Sequence, residues 1–401
     1  MRSLAAGGDG VATLTDGRTV FIPRAAPGDE LRLRSVRLHA RYARAEIDDV
    51  VLPGPNRVEP PCPHYLADRC GGCQLMHLDA AAQLGAKSRI AGDALRRIGH
   101  LDLGDPAVTA PAQAFGYRTK VTFTMQRGTL GYYPINDPTR VFEVRDCLIA
   151  RDEIRELHAA VRAARSHLPR DRVRVTLRLD REHGRHIIVA SSDEKVWGGA
   201  KALHAALAEA GIVACIWWVP EGGRARVLAG ADTPWPATVF EQVNPVMAAA
   251  VRQAAIDALE PLASRVIWDL YAGIGETTAD LARGGARVHS VERDRRAVDF
   301  ANRLGPPGPD RRIGTVEGLI AELPRPDAIV TNPPRTGMAA SVSEAISRSE
   351  AATIAYISCD PATLARDLAA LAATYRVARV EAYDQFPQTA HMECLALLER
   401  R

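Results

Sequence analysis

Lysine is almost missing from this chain of 401 residues: Lys87, Lys120, Lys195 and Lys201 are the only four among 51 basic side chains, and the rest are arginines. Arginine's planar fork suits phosphates and stacked bases, although a GC-rich genome would leave the same bias. Long apolar runs are also absent. The first thirty residues show no basic start followed by an apolar stretch, and no eighteen consecutive residues are apolar. Neither secretion nor a membrane span is therefore expected, and the expected compartment is the cytoplasm. Net charge is only +3, so any nucleic-acid surface must come from local clustering rather than from the overall balance. The seven cysteines form an odd set, which argues against a disulfide scaffold and turns attention to metal binding or catalysis. With 47% hydrophobic and 25% charged residues, the chain can bury two or three domain cores, which excludes a disordered or fibrous protein.

Residues 1–52 read as short strands broken at Gly7-Gly8-Asp9-Gly10, Thr15-Asp16-Gly17 and Ala26-Pro27-Gly28-Asp29, the pattern of a small β-barrel. Residues 31–44 carry Arg32, Arg34, Arg37, Arg41 and Arg44 with Tyr42 among them, a stretch able to track a phosphate backbone. Seven acidic residues in the first fifty allow a solvated strand face instead. A proline-rich joint over 52–61 leads into a β-rich part, expected at 53–78 and 111–240, where Val173–Leu179 alternates arginine with apolar residues. Residues 79–110, opening with a helix, and 241–401 are expected to form one α/β domain, because β and α segments alternate beyond 246 as in a doubly wound parallel sheet. No internal repeat occurs.

Val266-Ile267-Trp268-Asp269 predicts a strand, Leu270-Tyr271-Ala272-Gly273-Ile274-Gly275 a turn, and Glu276 the start of a helix. Glycines at this bend let the backbone approach a ligand at the C-terminal edge of the sheet. The next strand ends in Glu292, a carboxylate suited to two ribose hydroxyls. A dinucleotide site would want a third glycine where Thr278 stands, and Glu276 would repel a phosphate. S-adenosylmethionine is cationic and lacks phosphate, so these residues favour it over a nicotinamide cofactor.

Two further strands are predicted to end at the same edge. One stops at Asn332-Pro333-Pro334-Arg335, because paired prolines cannot continue a ladder. The other ends in Ser358-Cys359-Asp360-Pro361, which places a thiol just before a helix. Cys215 and Cys394 lie in apolar runs and read as small buried hydrophobes. Cys359 differs in being presented at the ligand edge, and a helix start is expected to lower its pKa. Such a thiolate meets a specific need: C5 of uracil becomes nucleophilic only after addition at C6, and a base must afterwards remove the C5 proton. Glu393 is the candidate base, with His391 a lesser one. Separately, Cys62, Cys70 and Cys73 form a tight ligand arrangement with Cys147 available as a fourth; the spacing accepts either zinc or an iron-sulfur cluster.

These motifs occur together in one order, and in that order the chain resembles the bacterial RNA uracil-5-methyltransferases from near residue 5 to its end. The N-terminal block is similar to their TRAM domain, residues 269–275 to their cofactor loop, and Ser358-Cys359-Asp360-Pro361-Ala362-Thr363 to their nucleophile motif. The resemblance implies an N-terminal OB-like TRAM barrel, a central β-rich domain with a 4Fe-4S cluster on Cys62, Cys70, Cys73 and Cys147, and a Rossmann-like methyltransferase domain. It makes Cys359 the nucleophile and Glu393, in Phe-Pro-Gln-Thr-x-His-x-Glu, the proton acceptor. It places Gln242 at cofactor and base, Tyr271, Gly273, Glu276 and Glu292 at the cofactor, and Asn332 between cofactor and target ring. The implied substrate is 23S ribosomal RNA, with transfer RNA second; separately, a monomer is expected. Three residues depart from the family pattern: Asn332 replaces the usual aspartate, Asp360 the usual asparagine, and Glu276 is unusual at its position. Asn-Pro-Pro also opens the motif of exocyclic-amine methyltransferases, and an amide can pair with uracil or cytosine, so cytosine-C5 and amine methylation stay open. From another class, a non-catalytic RNA-binding or assembly protein also stays open.

Overall fold

The computed structural model describes residues 1–193, 196–231, 235 and 237–401, so Lys195 lies outside the described residues. The chain divides into two compact units, one formed by Met1–Val58, His77–Ala112 and Val239–Arg401, the other by Glu59–Met76 and Gln113–Thr238. Among the described residues no helix is long and apolar enough to cross a membrane.

The larger unit contains an eight-stranded sheet in the order Asp310–Ile313, Arg287–Glu292, Val266–Leu270, Ala328–Thr331, Thr353–Ser358, Glu393–Arg400, Tyr375–Tyr383, Val108–Thr109. The first five strands are mutually parallel, and Glu393–Arg400 is antiparallel to both of its neighbours. Period-two patterning decides which side chain faces which layer. Trp268, Leu270, Ile329, Ile354 and Tyr356 pack with Leu95, Val342 and Leu368 on one face. Ile267, Val330, Ala355 and Ile357 pack with Val251, Ala255 and Leu281 on the other. Helices thus cover both faces, as an α/β sheet buried on two sides requires. Chain order reverses between Val266–Leu270 and Ala328–Thr331, the switch point at which such sheets bind ligands.

The same unit holds a five-stranded sheet built from Ser3–Leu4, Gly10–Thr13, Thr19–Ile22, Tyr42–Leu52 and Glu30–Leu38, in that spatial order. Its small core centres on Val20, Ile22, Ala25, Ala43 and Ala45. The arginine stretch read as phosphate-tracking is only partly available. Strand pairing sets Arg32 opposite Asp49, 3.6 Å away, and Arg34 opposite Glu46, 3.7 Å away, while Asp9, in the turn before Gly10–Thr13, reaches Arg44 at 3.7 Å. Arg37 and Arg41 remain at the tip of the hairpin, beside Tyr42 stacked on His39 with ring centroids 4.4 Å apart.

The smaller unit is a seven-stranded sheet in the order Arg226–Ala229, Cys215–Val219, Arg185–Ser191, Val173–Leu179, Lys120–Gln126, Thr129–Tyr132, Phe142–Glu143. Val173, Val175 and Leu177 pack against Ile154, Leu157 and Val161 of the helix Asp152–Ala163 and against Leu203 and Leu207 of Ala200–Glu209. The intervening Arg174 and Arg178 therefore point to the other face.

One buried ion pair ties the five-stranded sheet to the segment that follows it. Asp29 accepts hydrogen bonds from Ala26 N at 2.6 Å, Gly54 N at 2.8 Å and Arg57 Nη2 at 2.6 Å. Burial alone would raise this carboxyl, but Arg57 and the two amides outweigh it and hold it below the usual aspartate range. Asp29→Ala leaves a mostly buried guanidinium unpaired and should cost about 3 kcal/mol, in the range for breaking a buried pair. The shift in urea midpoint measures it, and an unchanged midpoint would contradict the assignment. Because the folded carboxyl is depressed, its contribution is full above the unfolded pKa and is lost as pH falls through the folded value.

Candidate active site

The strands Arg287–Glu292, Val266–Leu270, Ala328–Thr331 and Thr353–Ser358 all finish at one edge of the larger sheet, and Glu393–Arg400 begins there. In sheet order that edge presents Glu292, the loop from Tyr271 to Gly275, Asn332, Cys359 and Glu393. The structure therefore brings together residues that are far apart in sequence, with the expected cofactor residues at one end and the reaction residues at the other.

At the cofactor end, Gly273 and Gly275 adopt φ of 57° and 78°, which their lack of a Cβ permits. A side chain at 275 would also come within 3.0 Å of Ala301 Cβ. Tyr271, not a glycine, is held at φ 63°, a strained conformation of the kind that collects at functional sites. Glu292 braces the loop, accepting from Gly273 N at 2.9 Å and Asp294 N at 2.7 Å. Each carboxylate oxygen keeps a second lone pair for a ligand hydroxyl. Glu276 makes an ion pair with Arg252 at 3.0 Å, so its charge is engaged by a neighbouring helix. Asp269 escaped the sequence reading as a site residue. Burial lifts its pKa to about 6 while Thr278 Oγ1 donates to it at 2.5 Å, which fixes the start of the helix Glu276–Arg283.

At the reaction end, Ser358 pairs with Cys394 across antiparallel strands, so the next residue of one strand, Cys359, meets the preceding residue of the other, Glu393. Cys359 is half-buried, whereas Cys215 and Cys394 are fully buried, as their apolar contexts suggested. The thiol departs from expectation in its acidity. Burial raises its pKa, Glu393 and Asp360 raise it further, and Arg335 only partly offsets them by charge and a hydrogen bond. The helix start gives little help because the Asp360 side chain already accepts from Ala362 N and Thr363 N, each at 2.9 Å.

Glu393 is 2% exposed. Burial raises its pKa to about 7 despite a hydrogen bond from Gln242 and the nearby Arg335. Gln242 Nε2 donates to Glu393 Oε1 at 3.1 Å, while Glu393 Oε2 is buried with no hydrogen-bond partner among the described residues. An orphaned, nearly neutral-pH carboxylate oxygen is a ready proton acceptor. His391 is exposed and lies edge-on to Phe386. Asn332 is exposed at the edge, its backbone N–H donating to Leu270 O at 3.2 Å. Sequence reasoning also missed Gln385, fully buried, whose Nε2 donates to Gln242 Oε1 at 3.3 Å.

In the smaller unit the four cysteines gather in one neighbourhood. Burial raises the Cys73 thiol, and the charges of Cys147, Cys70 and Cys62 raise it further. His64 helps assemble them: its Nε2 accepts from Arg145 N at 2.9 Å, drawing the segment before Cys147 to the short helix that follows Cys62. Among the described residues no three His, Cys, Asp or Glu side chains converge closely enough to hold a metal ion.

The Glu393 environment yields a direct measurement. Infrared titration, with Glu393→Gln as the subtraction control, should show a carboxyl ionising near pH 7. Gln242→Met removes its donor and should move the midpoint up by about one unit; a downward movement would contradict the geometry.

A family model described as tRNA (Uracil-5-)-methyltransferase matches residues 316–401. A Gloeobacter violaceus protein named as an uncharacterized RNA methyltransferase is 33% identical, covering 99% of this chain and 95% of its own. The 23S rRNA (uracil(1939)-C(5))-methyltransferase RlmD of Thiobacillus denitrificans is 30% identical, covering 98% of this chain and 97% of its own. The crystal structure of Pyrococcus abyssi tRNA (uracil-54, C5)-methyltransferase in complex with S-adenosyl-L-homocysteine is similar over 99% of both chains, with TM-score 0.74 and 20% identity, which establishes a shared α/β methyltransferase fold. Resemblance at this level along essentially the whole length means that the chain belongs to the RNA uracil-5-methyltransferase family.

Proposed function

We propose that the chain transfers a methyl group from S-adenosyl-L-methionine to C5 of a uridine in RNA through a covalent bond between Cys359 and C6. The name of the Thiobacillus relative supports 23S ribosomal RNA as the substrate ahead of transfer RNA. The observation that carries the chemistry is the opposition of Cys359 and Glu393 across an antiparallel pair, with one Glu393 oxygen buried and unpartnered. Methylation of an exocyclic amine would need neither group, so this opposition weighs against the reading that Asn332 leaves open.

The cofactor, when bound, supplies an electrophilic sulfonium methyl group. Gly273, Glu292 and Tyr271 would hold it, with Gln242 and Asn332 toward the ring; Glu276 contributes through its pairing with Arg252. Cys359 Sγ, its proton passed to solvent, bonds as thiolate to C6; C5 of the resulting enolate then takes the methyl carbon as that carbon's bond to the sulfonium sulfur breaks, with S-adenosyl-L-homocysteine as the leaving group. Glu393 Oε2 removes the C5 proton, the C5–C6 double bond reforms, and the C6–S bond breaks to return the thiolate. Since burial and Glu393 keep the resting thiol protonated, Arg335 is the group that favours its thiolate.

The remaining parts fit a three-part RNA enzyme: a TRAM-like barrel at 1–52, a cysteine-bearing β domain at 53–78 and 111–240, and a methyltransferase domain at 79–110 and 241–401. Arg37 and Arg41 with the stacked His39 and Tyr42 supply cations and ring faces of the kind that hold single-stranded RNA. The four cysteines are assigned to a 4Fe-4S cluster rather than zinc. The family resemblance supports this choice: four cysteines that influence one another electrostatically can each bind one iron of such a cluster. Cys62, Cys70, Cys73 and Cys147 would hold it, in a role outside methyl transfer.

RNA containing 5-fluorouracil should trap a denaturation-resistant adduct that Cys359→Ala abolishes; a surviving adduct refutes the nucleophile. Protein purified without reductant should be brown, with iron and sulfide in equal amounts, whereas colourless protein carrying zinc refutes the cluster.

A further inference from the structure

We infer that Lys87 and Gln83 are positioning residues for Glu393, acting through a chain of buried contacts that ends on the proton acceptor. Both lie on the helix Ala80–Arg97, one turn apart and so on one face. They reach a segment about 300 positions later in sequence. Lys87 is fully buried; its ammonium pairs with Asp384 and donates to Phe386 O at 3.1 Å. Gln83 grips Gln388 twice, donating to Gln388 Oε1 at 3.1 Å and accepting from Gln388 N at 3.1 Å. The two side chains therefore clamp both ends of residues 384–388, the stretch that leads into Glu393.

From there the contacts continue to the carboxylate. Gln385, beside Asp384, donates to Gln242 Oε1 and to Asn244 O, both at 3.3 Å, and its carbonyl accepts from Asn244 Nδ2 at 3.2 Å. Those acceptors fix the orientation of the Gln385 amide. The Gln242 amide must then turn its nitrogen to Glu393 Oε1, 3.1 Å away. One Glu393 oxygen is thereby held and the other left for the substrate proton.

A buried ion pair is a poor source of stability, since apolar residues of like volume serve as well or better. Retaining one here is explained by what it places. The residue type agrees: a compact ammonium with three donors serves the Asp384 carboxylate and the Phe386 carbonyl in a slot closed to solvent, where a planar guanidinium would be larger. In a chain with four lysines among 51 basic residues, a lysine at this point is informative.

The inference rests on Glu393 being the proton acceptor, and it names the step that should suffer. Addition of Cys359 and methyl transfer precede proton removal, so a displaced Glu393 should delay release of the methylated adduct. The experiment follows, on ordinary uridine RNA with labelled cofactor, the single-turnover rate of methyl transfer and the fraction of RNA covalently bound to protein. Lys87→Met should slow adduct release by about 10- to 100-fold, the range for a misplaced catalytic group, with methyl transfer changed less than about threefold. Lys87→Met leaves Asp384 unpaired, so two variants guard against misfolding. Gln83→Leu removes the second grip without touching a charge, and Lys87→Met with Asp384→Leu removes both charges together. Each should accumulate adduct while keeping a cooperative melt.

Glu393→Gln separates the two levels. If it fails to accumulate adduct, Glu393 is not the acceptor and the reading beneath the inference falls. If it accumulates adduct while Gln83→Leu and the double variant release product at the wild-type rate, the positioning role is overturned. Equal loss of methyl transfer and adduct release in those variants also overturns it, because that outcome marks a merely structural contact.

Discussion

Because Glu393–Arg400 runs antiparallel where the five strands before it are parallel, the residue it brings to the ligand-binding edge is its first and not its last. A parallel strand in that place would deliver Arg400 to the edge and bury Glu393 at the far end. Reversal instead sets a carboxylate against the thiol that closes the neighbouring strand. Strand register then does the fine positioning: the Ser358–Cys394 pair leaves Cys359 and Glu393 as the next pair outward.

Desolvation governs both partners, and its effects differ in use. For Glu393 it raises the carboxyl to about 7, so that a proton can be both taken up and given away near neutral pH. For Cys359 the same burial, with the carboxylate beside it, opposes ionisation. Desolvation therefore favours proton uptake at Glu393 and opposes thiolate formation at Cys359, and Arg335 is the counterweight common to both groups. A thiol kept protonated at rest is also less open to oxidation, since the thiolate is the reactive form.

Much of the architecture was legible because the signals were local. Alternation in Val266–Leu270 and Thr353–Ser358, glycines at 273 and 275, and prolines at 333, 334 and 361 report strand ends and turns within a few residues of themselves. Residues whose environment depends on distant partners were harder to read. The acidity of Cys359 was misjudged because the helix-start amides are spent on Asp360. Arg32 and Arg34 meet carboxylates only through strand pairing, and Arg44 only through a turn residue far from it in sequence. Gln385 and Lys87 carried no motif, and only the fold reveals that one holds Gln242 and the other Asp384.

The helix Ala80–Arg97 belongs to the same compact unit as Val239–Arg401, yet the residues of the second unit intervene between them along the chain. A fragment trimmed to the contiguous C-terminal part would retain the cofactor-loop and nucleophile motifs, residues 269–275 and 358–363. It would also bury the Asp384 carboxylate without a cation, in a pocket stripped of Gln83 and Lys87. A C-terminal fragment of this chain that keeps the Asp384 pair therefore has to be stitched from two pieces of polypeptide, because the boundary visible in the motifs is not the boundary of the electrostatics.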